Sequence, residues 1–346
     1  MGKPSGPVVC VSYLALAELW SVSQFPRPNH GVEIRSIDWS VAADGPMTAA
    51  VLAAMGAPVR LIANDVGGDE HGRFVTEWLR ERDVQPAYVC RAAVTTPRIV
   101  VTADDQHTRT WFAHLPEVVA SLGRADLAPI AEASFLYLDC YELIEHTVVR
   151  VIEAGRTAEV PMLLNLGGSK LSAPVKQALD GYGNLLVQTN VDDDDREHAP
   201  ALASALLSET DAAWVIVTAG ASGAVAASHS EELAVQAFPV DVRHTHCAGA
   251  AFSAGLLYGH RAGWTMERSM VLGSASGALR CARHHSAPLP SLEELRLVCR
   301  ELSRRGRGRR GRPAVDDLHV PADCTTAETR RAGCPRCRSL RCSCST

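Results

Sequence analysis

The feature that most constrains the fold is a regular alternation of short apolar runs with longer segments of helical periodicity. The apolar runs have strand length and are rich in Val, Ile and Leu; they lie at residues 7–16, 58–67, 134–141, 160–167, 184–190 and 213–220. The helical segments lie at residues 46–56, 69–82, 144–157, 200–208, 249–263 and 265–282. This order is typical of βαβ units. The sequence therefore predicts a three-layer α/β fold, with a mostly parallel central sheet and helices on both of its faces.

Two other segments are predicted to form a small β lid. Residues within about 17–45 and 86–113 alternate polar with apolar side chains and contain turn residues. Such a pattern indicates antiparallel strands outside the parallel sheet. The chain has 346 residues, which is enough for one large domain with a well-buried core. We assign residues 1–303 to this domain.

Residues 304–346 differ from the rest of the chain in composition. They contain 11 of the 34 Lys and Arg residues and 4 of the 39 Asp and Glu residues, so they carry +7, and the preceding residues carry 23 minus 35, or −12. The acidic body argues against a nucleic-acid partner. The basic segment lacks aromatic residues and is predicted to be a disordered tail. Its Cys334, Cys337, Cys342 and Cys344 could in principle bind zinc, but the short spacing between the two pairs argues against such a site.

The sequence also gives an expectation about membranes. No run of about 18 apolar residues occurs, and the N-terminal residues lack a charged segment followed by an apolar one. We therefore expect a cytoplasmic protein without a membrane partner.

The segment HTHCAGAAF, residues 244–252, has the pattern of a tight turn that opens a helix. The small residues Cys247, Ala248 and Gly249 let backbone N–H groups at a helix N-terminus approach an anion closely, which predicts an anion hole for a phosphoryl group. A side chain at Cys247 costs about 1 kcal/mol or more if the turn requires a positive φ. The alternative interpretation is a helix start that only packs against the sheet.

Four motifs occur in a fixed order along the chain, and FPRP at residues 25–28 precedes them. The motifs are GGDEHG (67–72), TNVDDDD (189–195), TAGASG (218–223) and HTHCAGAAF (244–252). In this order and spacing they resemble those of the ribokinase, or PfkB-type, family of carbohydrate and nucleoside kinases, over roughly residues 7–300. The resemblance implies a ribokinase-like fold with a β lid, ATP and Mg²⁺ as cofactors, and a small sugar-like or nucleoside-like acceptor. It also implies that a homodimer could form through the lid strands.

The resemblance assigns nucleotide binding to residues that follow two of the predicted strands. These residues are Asn190, Asp193, Thr218, Gly220 and Gly223. The family's counterparts of Asn190 and Asp193 organise Mg²⁺-bound water near the phosphates, which makes Asp193 an indirect metal ligand by resemblance. Asp is one methylene shorter than the Glu of the family, although Asp194 could compensate. The run of four acids is alternatively a solvated helix start, because carboxylates are favourable near a helix N-terminus.

The base position departs from the family pattern. The catalytic base of the family is an Asp at the position of Ala250, and a methyl group accepts no proton. General-base assistance is typically worth about 10²–10⁴-fold, so transfer is expected to be slow without it. His246 is one candidate for a surrogate base, since an imidazole with a pKa near 7 is chemically suitable. Asp44 is another.

The acceptor side departs from the pattern as well. Positions that bind sugar hydroxyls in the family carry Ala17, Ala43 and Met47 here, with Asp44 among them. Each buried group left unpaired costs about 1–3 kcal/mol, so an ordinary ribose- or fructose-like acceptor is not expected to bind in the family's manner. Glu18 could replace the missing acid at position 17 only by a slip of one residue, which reverses the face of a strand.

From these matches and departures we expect a divergent PfkB-type carbohydrate kinase homologue. Its ATP-dependent phosphotransfer to a sugar-like alcohol is expected to be weak, altered or lost, because the base position is Ala250. Two alternatives remain open: a nucleotide-binding pseudokinase with a regulatory or scaffolding role, and an active kinase for an unusual acceptor.

Overall fold

The computed structural model of the chain describes residues 6–306, with the side chains of all of them except Asp193 and residues 301–306. The basic segment from residue 307 onward, with the four candidate zinc ligands, lies outside the described residues. The last described helix continues to Gly306, beyond the domain boundary that we placed at residue 303.

The β-strands of the described region are short and are numbered in chain order. They are β1 (Val8–Val11), β2 (Ala15–Ser21), β3 (Ser36–Ala42), β4 (Val59–Ile62), β5 (Val66–Gly67), β6 (Gln85–Ala87), β7 (Cys90–Arg91), β8 (Arg98–Ala103), β9 (Arg109–His114), β10 (Phe135–Asp139), β11 (Met162–Asn165), β12 (Leu185–Asn190), β13 (Trp214–Thr218), β14 (Ala224–Ala227) and β15 (Glu232–Val235).

The α-helices lie between these strands and after them. They are α1 (Asp44–Ala54), α2 (Glu70–Arg80), α3 (Val118–Gly123), α4 (Glu145–Thr157), α5 (Ala173–Leu179), α6 (Ala199–Glu209), α7 (Ala248–Arg261), α8 (Met266–Ala282) and α9 (Leu292–Gly306). Within residues 6–306, none of them is both long enough and apolar enough to cross a lipid bilayer.

The central sheet has nine strands in the order β15-β14-β13-β12-β11-β10-β1-β4-β6. Neighbours from β13 to β6 are parallel, and the hairpin of β14 and β15 adds an antiparallel edge. The predicted three-layer α/β architecture is therefore confirmed. The sequence missed the hairpin because Ala-rich β14 and the exposed Glu232 of β15 lack the β-branched, alternating pattern of a strong strand signal.

A second sheet of four strands, in the order β3-β2-β8-β9, forms the lid. The run predicted as one strand at residues 7–16 is divided: β1 ends at Val11, and the lid strand β2 starts at Ala15. We predicted antiparallel pairing throughout the lid, and this is wrong for one pair, because β2 and β8 are parallel. A connection of more than 70 residues separates these two strands, which is long enough for the chain to return in the same direction.

Alternate residues of the central strands pack against opposite helical layers, as the two-residue period of a strand requires. In β1, Val8 and Cys10 pack in the layer that contains α1, α2, α7 and α8. Val9 and Val11 pack in the layer that contains α3 to α6. All four side chains are fully buried, so the sheet is covered on both faces and its functional groups are found at its edges.

Helices α7 and α8 approach closely along glycine residues. A Cβ atom at Gly255 of α7 would lie 2.7 Å from the carbonyl oxygen of Leu272, and one at Gly259 would lie 3.0 Å from Cα of Ser269. This close contact fixes the position of α7, and with it the position of the turn that precedes Ala248.

The glycine contact gives a test of the packing. We expect Gly255→Ala to lower the free energy of unfolding by about 1–3 kcal/mol, because overpacking against backbone outweighs the helix propensity of Ala. Urea unfolding measures the change. Gly249→Ala, in the same helix with no atom within 4 Å of the added Cβ, is the matched control and should leave stability unchanged or gain up to about 1 kcal/mol. Equal effects of the two substitutions would contradict the packing argument.

Candidate active site

The strand order of the central sheet reverses between β1 and β10. From β1 the sheet continues to β4 on one side, and from β10 it continues to β11 and β12 on the other. In open α/β sheets such a switch point opens a crevice at the carboxyl ends of the strands, and ligands bind there. Ser12 follows β1 and Asp139 ends β10, and Ser12 Oγ donates a hydrogen bond to Asp139 Oδ2 at 2.6 Å.

Asp139 is a fully buried hydrogen-bond acceptor for four groups. Besides Ser12, the backbone N–H of Gly45 donates to Oδ2 at 2.7 Å. Tyr137 Oη donates to Oδ1 at 2.7 Å, and Asn165 Nδ2 donates to Oδ1 at 2.9 Å. The carboxylate thereby joins β1, β10, β11 and the first turn of α1.

A second carboxyl group, that of Asp44, lies beside the first. Asp44 is the first residue of α1, a favourable place for a negative charge. Its Oδ2 accepts from Asn165 Nδ2 at 3.0 Å and from Tyr141 Oη at 3.1 Å. The Asn165 amide nitrogen therefore bridges the two carboxyl groups, and Asp44 is partly exposed whereas Asp139 is not.

The two carboxyl groups affect each other's protonation. Burial, and then the charge of Asp44, raise the pKa of Asp139 to about 7, against the opposing effect of its hydrogen bonds. Burial also raises the pKa of Asp44, and the hydrogen bonds from Asn165 and Tyr141 and the charge of Arg109 oppose that change. Like charges at this separation disfavour double ionisation, so the pair can hold one proton near neutral pH.

The turn that opens α7 lies close to this pair. Cys247 precedes the helix in the left-handed conformation, with φ 58° and ψ 28°, as the sequence analysis anticipated for a turn that requires a positive φ. Burial, and then the charge of Asp44, raise the pKa of the Cys247 thiol to about 12, so it is not a thiolate nucleophile at neutral pH. Ala248 and Gly249 form the first turn of α7; the N–H of Ala248 donates to the carbonyl oxygen of Thr245 at 3.3 Å, and N–H groups at such a helix start can bind an anion.

Ala250 and His246 have surroundings that bear on the missing base. Ala250 is fully buried, and its carbonyl oxygen accepts from Thr48 Oγ1 at 3.1 Å. Nε2 of the buried His246 lies 3.2 Å from the carbonyl oxygen of Val41 and 3.3 Å from Cys247 Sγ. Burial, and then the charge of Arg280, lower the pKa of His246 to about 3, which leaves the imidazole neutral and a weak proton acceptor.

One lid arginine reaches the turn. Arg109 of β9 donates from its guanidinium to the carbonyl oxygen of Thr245 at 3.0 Å. Arg98 of β8 instead forms an ion pair within the lid: its Nη1 lies 3.6 Å from Oε1 of Glu18 in β2. Ala17, on the opposite face of β2, packs in a small buried cluster with Ala15, Ala42 and Ile99.

The remaining predicted acceptor residues present no polar side chain. Met47 is fully buried in the core beside α7. Ala43 has φ 72° and ψ 159°, a backbone conformation that is essentially restricted to glycine. This strained residue directly precedes Asp44. The chain therefore forms the turn that positions the Asp44 carboxyl group, although the turn suits glycine better than alanine.

The predicted nucleotide residues lie farther along the same carboxyl edge. Asn190 and Thr218 end the adjacent parallel strands β12 and β13 and are register partners. Gly220 and Gly223 have φ 52° and 93°, and a Cβ at Gly223 would lie 2.0 Å from the carbonyl oxygen of Val235. Asp193 begins a short 3₁₀ turn that follows β12. The same edge thus carries the predicted nucleotide residues at β12 and β13 and Asp139 of the acidic pair at β10, with β11 between them.

Comparisons with known proteins identify the family and the fold. A family model described as pfkB family carbohydrate kinase matches residues 44–292. A 5-dehydro-2-deoxygluconokinase of Shouchella clausii (strain KSM-K16) is 20% identical over an alignment of 304 residues that covers 81% of this chain and 92% of that protein. Ribokinase from Thermotoga maritima (TM-score 0.70, 16% identity) and Arabidopsis thaliana ribokinase complexed with ribose and ATP (TM-score 0.68, 17% identity) each cover 85% of this chain and 99% of their own.

The fold and the family match together define the class of this protein as a carbohydrate kinase domain. The chain belongs to the pfkB family of carbohydrate kinases. Its ribokinase-like α/β fold, with a large mostly parallel sheet flanked by helices, is the one predicted from the order of motifs.

The sequence patterns named above did not predict most of the acidic cluster, although the polar residues that end two apolar strands were a signal for part of it. Asp139 and Asn165 are the last residues of the buried strands FLYLD and MLLN. A polar residue that ends an apolar strand lies at the edge where ligands bind in this class of fold. Ser12 and Tyr141 carry no comparable signal, because only the packed strands bring them to the pair.

The raised pKa of Asp139 predicts a pH dependence of stability. The folded state binds a proton more tightly than the unfolded state, so this group contributes stability below about pH 4 that is lost as the pH rises to about 7. We expect the unfolding free energy of the native chain minus that of Asp139→Asn to fall between pH 4 and pH 7 by on the order of a few kcal/mol. Asp180→Asn, at an exposed position, should show no such trend. A difference that stays constant from pH 4 to 7 would show that Asp139 is ionised throughout.

The strain at Ala43 gives a second test. We expect Ala43→Gly to raise the free energy of unfolding by about 1 kcal/mol, since relief of about 1–3 kcal/mol of strain exceeds the added entropy of the unfolded glycine. Ala42→Gly, at the preceding buried residue with ordinary backbone angles, should instead lose about 1 kcal/mol. Denaturant unfolding of both variants measures the change in the free energy of unfolding. If both variants lose stability by a similar amount, position 43 is not strained.

Proposed function

We propose that this chain transfers a phosphoryl group from ATP to a hydroxyl of a small, uncharged sugar-like molecule, with Asp44 in place of residue 250 as the proton acceptor. One observation carries the proposal: helix α1, which begins with Asp44, is bonded to the start of α7 by Thr48 Oγ1, which donates to the carbonyl oxygen of Ala250 at 3.1 Å. Transfer to an alcohol needs such a proton acceptor beside a group that stabilises the phosphoryl charge.

The donor half of the proposal rests on the edge of β12 and β13. Asn190 and Thr218 end the adjacent strands β12 and β13, and the tight glycine turn at 220–223 follows them, which supports ATP binding at this edge by resemblance to the family. Mg²⁺ would be held through water by Asn190 and the acids at 192–195, because this ion prefers oxygen ligands and retains several waters. When bound, Mg²⁺ would neutralise charge that develops on the phosphates. The first turn of α7 would then bind the transferred group through its backbone N–H groups.

The acceptor half of the proposal rests on Asp44 and its surroundings. The rings of Tyr13 and Tyr141 lie 5.5 Å apart and are both partly exposed next to it. Aromatic walls with a few fixed polar groups are typical of small-molecule sites. Ala17 and Met47 offer no hydrogen bonds, so we expect an acceptor with fewer hydroxyl groups than ribose.

The charge of the pocket favours a neutral acceptor. Asp44 and Asp139 would repel a carboxylate, and Arg109 is the cation whose charge acts on Asp44. The Shouchella clausii relative is, by its name, a kinase of a gluconate derivative. We propose that this chain differs from that relative in its acceptor.

The protonation of the pair suits a proton acceptor. A base works best when its pKa lies near the working pH, and burial raises the pKa of Asp44 from its ordinary acidic value. Tyr141 and Asn165 hold its carboxylate by hydrogen bonds, so its position needs no rearrangement during transfer.

A nucleotide-binding pseudokinase is the second candidate, and the burial of Ala250 favours it. Residue 250 has no carboxylate, and its side chain is fully buried in the first turn of α7. In this case ATP·Mg²⁺ would bind, and no acceptor would be phosphorylated at a measurable rate.

Two measurements separate these functions. ATP·Mg²⁺ at about 100 times its Kd should add about 2.7 kcal/mol to the stability of the chain if either proposal holds. ATP consumption is then measured with a panel of neutral sugars, polyols and nucleosides, and with 5-dehydro-2-deoxygluconate. We expect turnover with a neutral acceptor, and we expect Asp44→Asn to lower kcat by about 10²–10⁴-fold at nearly unchanged ATP affinity.

A rescue experiment tests the role of Asp44 itself. Adding Ala250→Asp to the Asp44→Asn chain restores an acid beside the α7 turn and should recover part of the lost kcat, whereas Asp180→Asn should have no effect. If Asp44→Asn is as active as the native chain, Asp44 is not the base. If ATP binds and no acceptor supports turnover, the pseudokinase function replaces the one proposed, and if ATP does not bind, both are wrong.

A further inference from the structure

Asp38, His284 and His285 form a cluster of potential metal ligands outside the candidate active site. Asp38 lies in lid strand β3, and the two histidines follow α8. Each residue offers one ligand atom, and the three atoms lie within 4.8 Å of one another. Asp38 Oδ1 and His285 Nε2 are 3.6 Å apart, close to the spacing of two ligands about 2 Å from a common ion.

His285 is largely buried, and the exposed His284 is positioned by its contacts with Ser286 and His285. The side chain of His285 is 9% exposed. His284 Nδ1 lies 2.7 Å from Ser286 Oγ, and the two imidazole rings are 3.9 Å apart between centroids. Little side-chain freedom remains to be lost when these groups bind a ligand.

A third histidine beside the cluster gives an independent indication of a ligand. Both ring nitrogens of His244 are buried, and neither makes a well-formed hydrogen bond, although the backbone of Arg283 lies near enough to act on its pKa. Its ring centroid is 6.1 Å from that of His285. Buried nitrogens without partners are uncommon and call for an explanation. A metal ion bound by the cluster would offer His244 a partner as the fourth ligand after a rotation of its ring.

The charge of Asp38 favours a cation at the cluster. Arg280 lies nearby, since its guanidinium Nη1 donates to the carbonyl oxygen of His285 at 3.0 Å. The carboxylate of Asp38 offsets the repulsion between Arg280 and a bound cation.

We propose that Asp38, His284 and His285 bind a divalent transition-metal ion of the Zn²⁺ type. Imidazole nitrogen with one carboxylate suits Zn²⁺, Ni²⁺ or Co²⁺ better than Mg²⁺ or Ca²⁺, which prefer oxygen ligands. The ion would join lid strand β3 to the loop after α8. Since His244 precedes the α7 turn by three residues, the ion would also link the lid to that turn.

Co²⁺ binding to the full chain tests the proposal. The chain carries Cys334→Ser, Cys337→Ser, Cys342→Ser and Cys344→Ser, which remove the thiolates of the C-terminal segment, and is freed of metal with a chelator. We expect one equivalent of Co²⁺ to bind with visible absorption and without a thiolate charge-transfer band. His285→Gln and Asp38→Asn should each weaken binding by at least about 10–100-fold, and Zn²⁺ should displace Co²⁺.

The matched control is His229→Gln, which removes an exposed histidine far along the chain from the cluster and should leave the affinity unchanged. Amide hydrogen exchange provides the second readout: Zn²⁺ should slow exchange in β3 of the native chain and not in Asp38→Asn. Absence of stoichiometric binding would overturn the site. An affinity in the Asp38→Asn and His285→Gln chains equal to that of the native sequence at these positions would also overturn it. Binding without slower exchange in β3 would overturn the link to the lid.

Discussion

The buried carboxyl group of Asp139 is the interaction on which the site depends. It accepts hydrogen bonds from Ser12, Gly45, Tyr137 and Asn165, and these four residues lie on different elements around the switch point of the sheet. A buried carboxyl group is tolerated only when hydrogen bonds replace its water, and here they also fix where α1 begins relative to β1 and β10. The position of the Asp44 carboxyl group follows from that arrangement.

Backbone strain is concentrated beside the same site. Ala43 and Cys247 both adopt positive φ angles without being glycine, one directly before α1 and the other directly before α7. Such conformations persist when the surrounding structure determines them, and they are often found at functional sites. The chain therefore forms both turns although each lacks glycine, the residue that forms them at least cost. This strain supports a function at the site more strongly than the motifs alone.

Residues 244–247 are the point at which the lid meets the body of the domain. Arg109 of β9 bonds to the carbonyl oxygen of Thr245, and His246 contacts the carbonyl oxygen of Val41 in β3. The proposed metal ligands join β3 to the loop beside His244. A displacement of the lid would therefore act on the turn before α7 through contacts on both lid edges.

The sequence by itself determined the class of fold, because strand and helix periodicities and the order of turns are local properties. It also located the turn before Ala248 and the end of a strand at Asn190. Pairing across the sheet is not local, so the parallel contact of β2 with β8 and the weak hairpin of β14 and β15 could not be read from residue patterns. The acidic pair was decided only by the tertiary structure, since Asp44 and Asp139 are 95 positions apart and meet because β10, β11 and α1 share one edge.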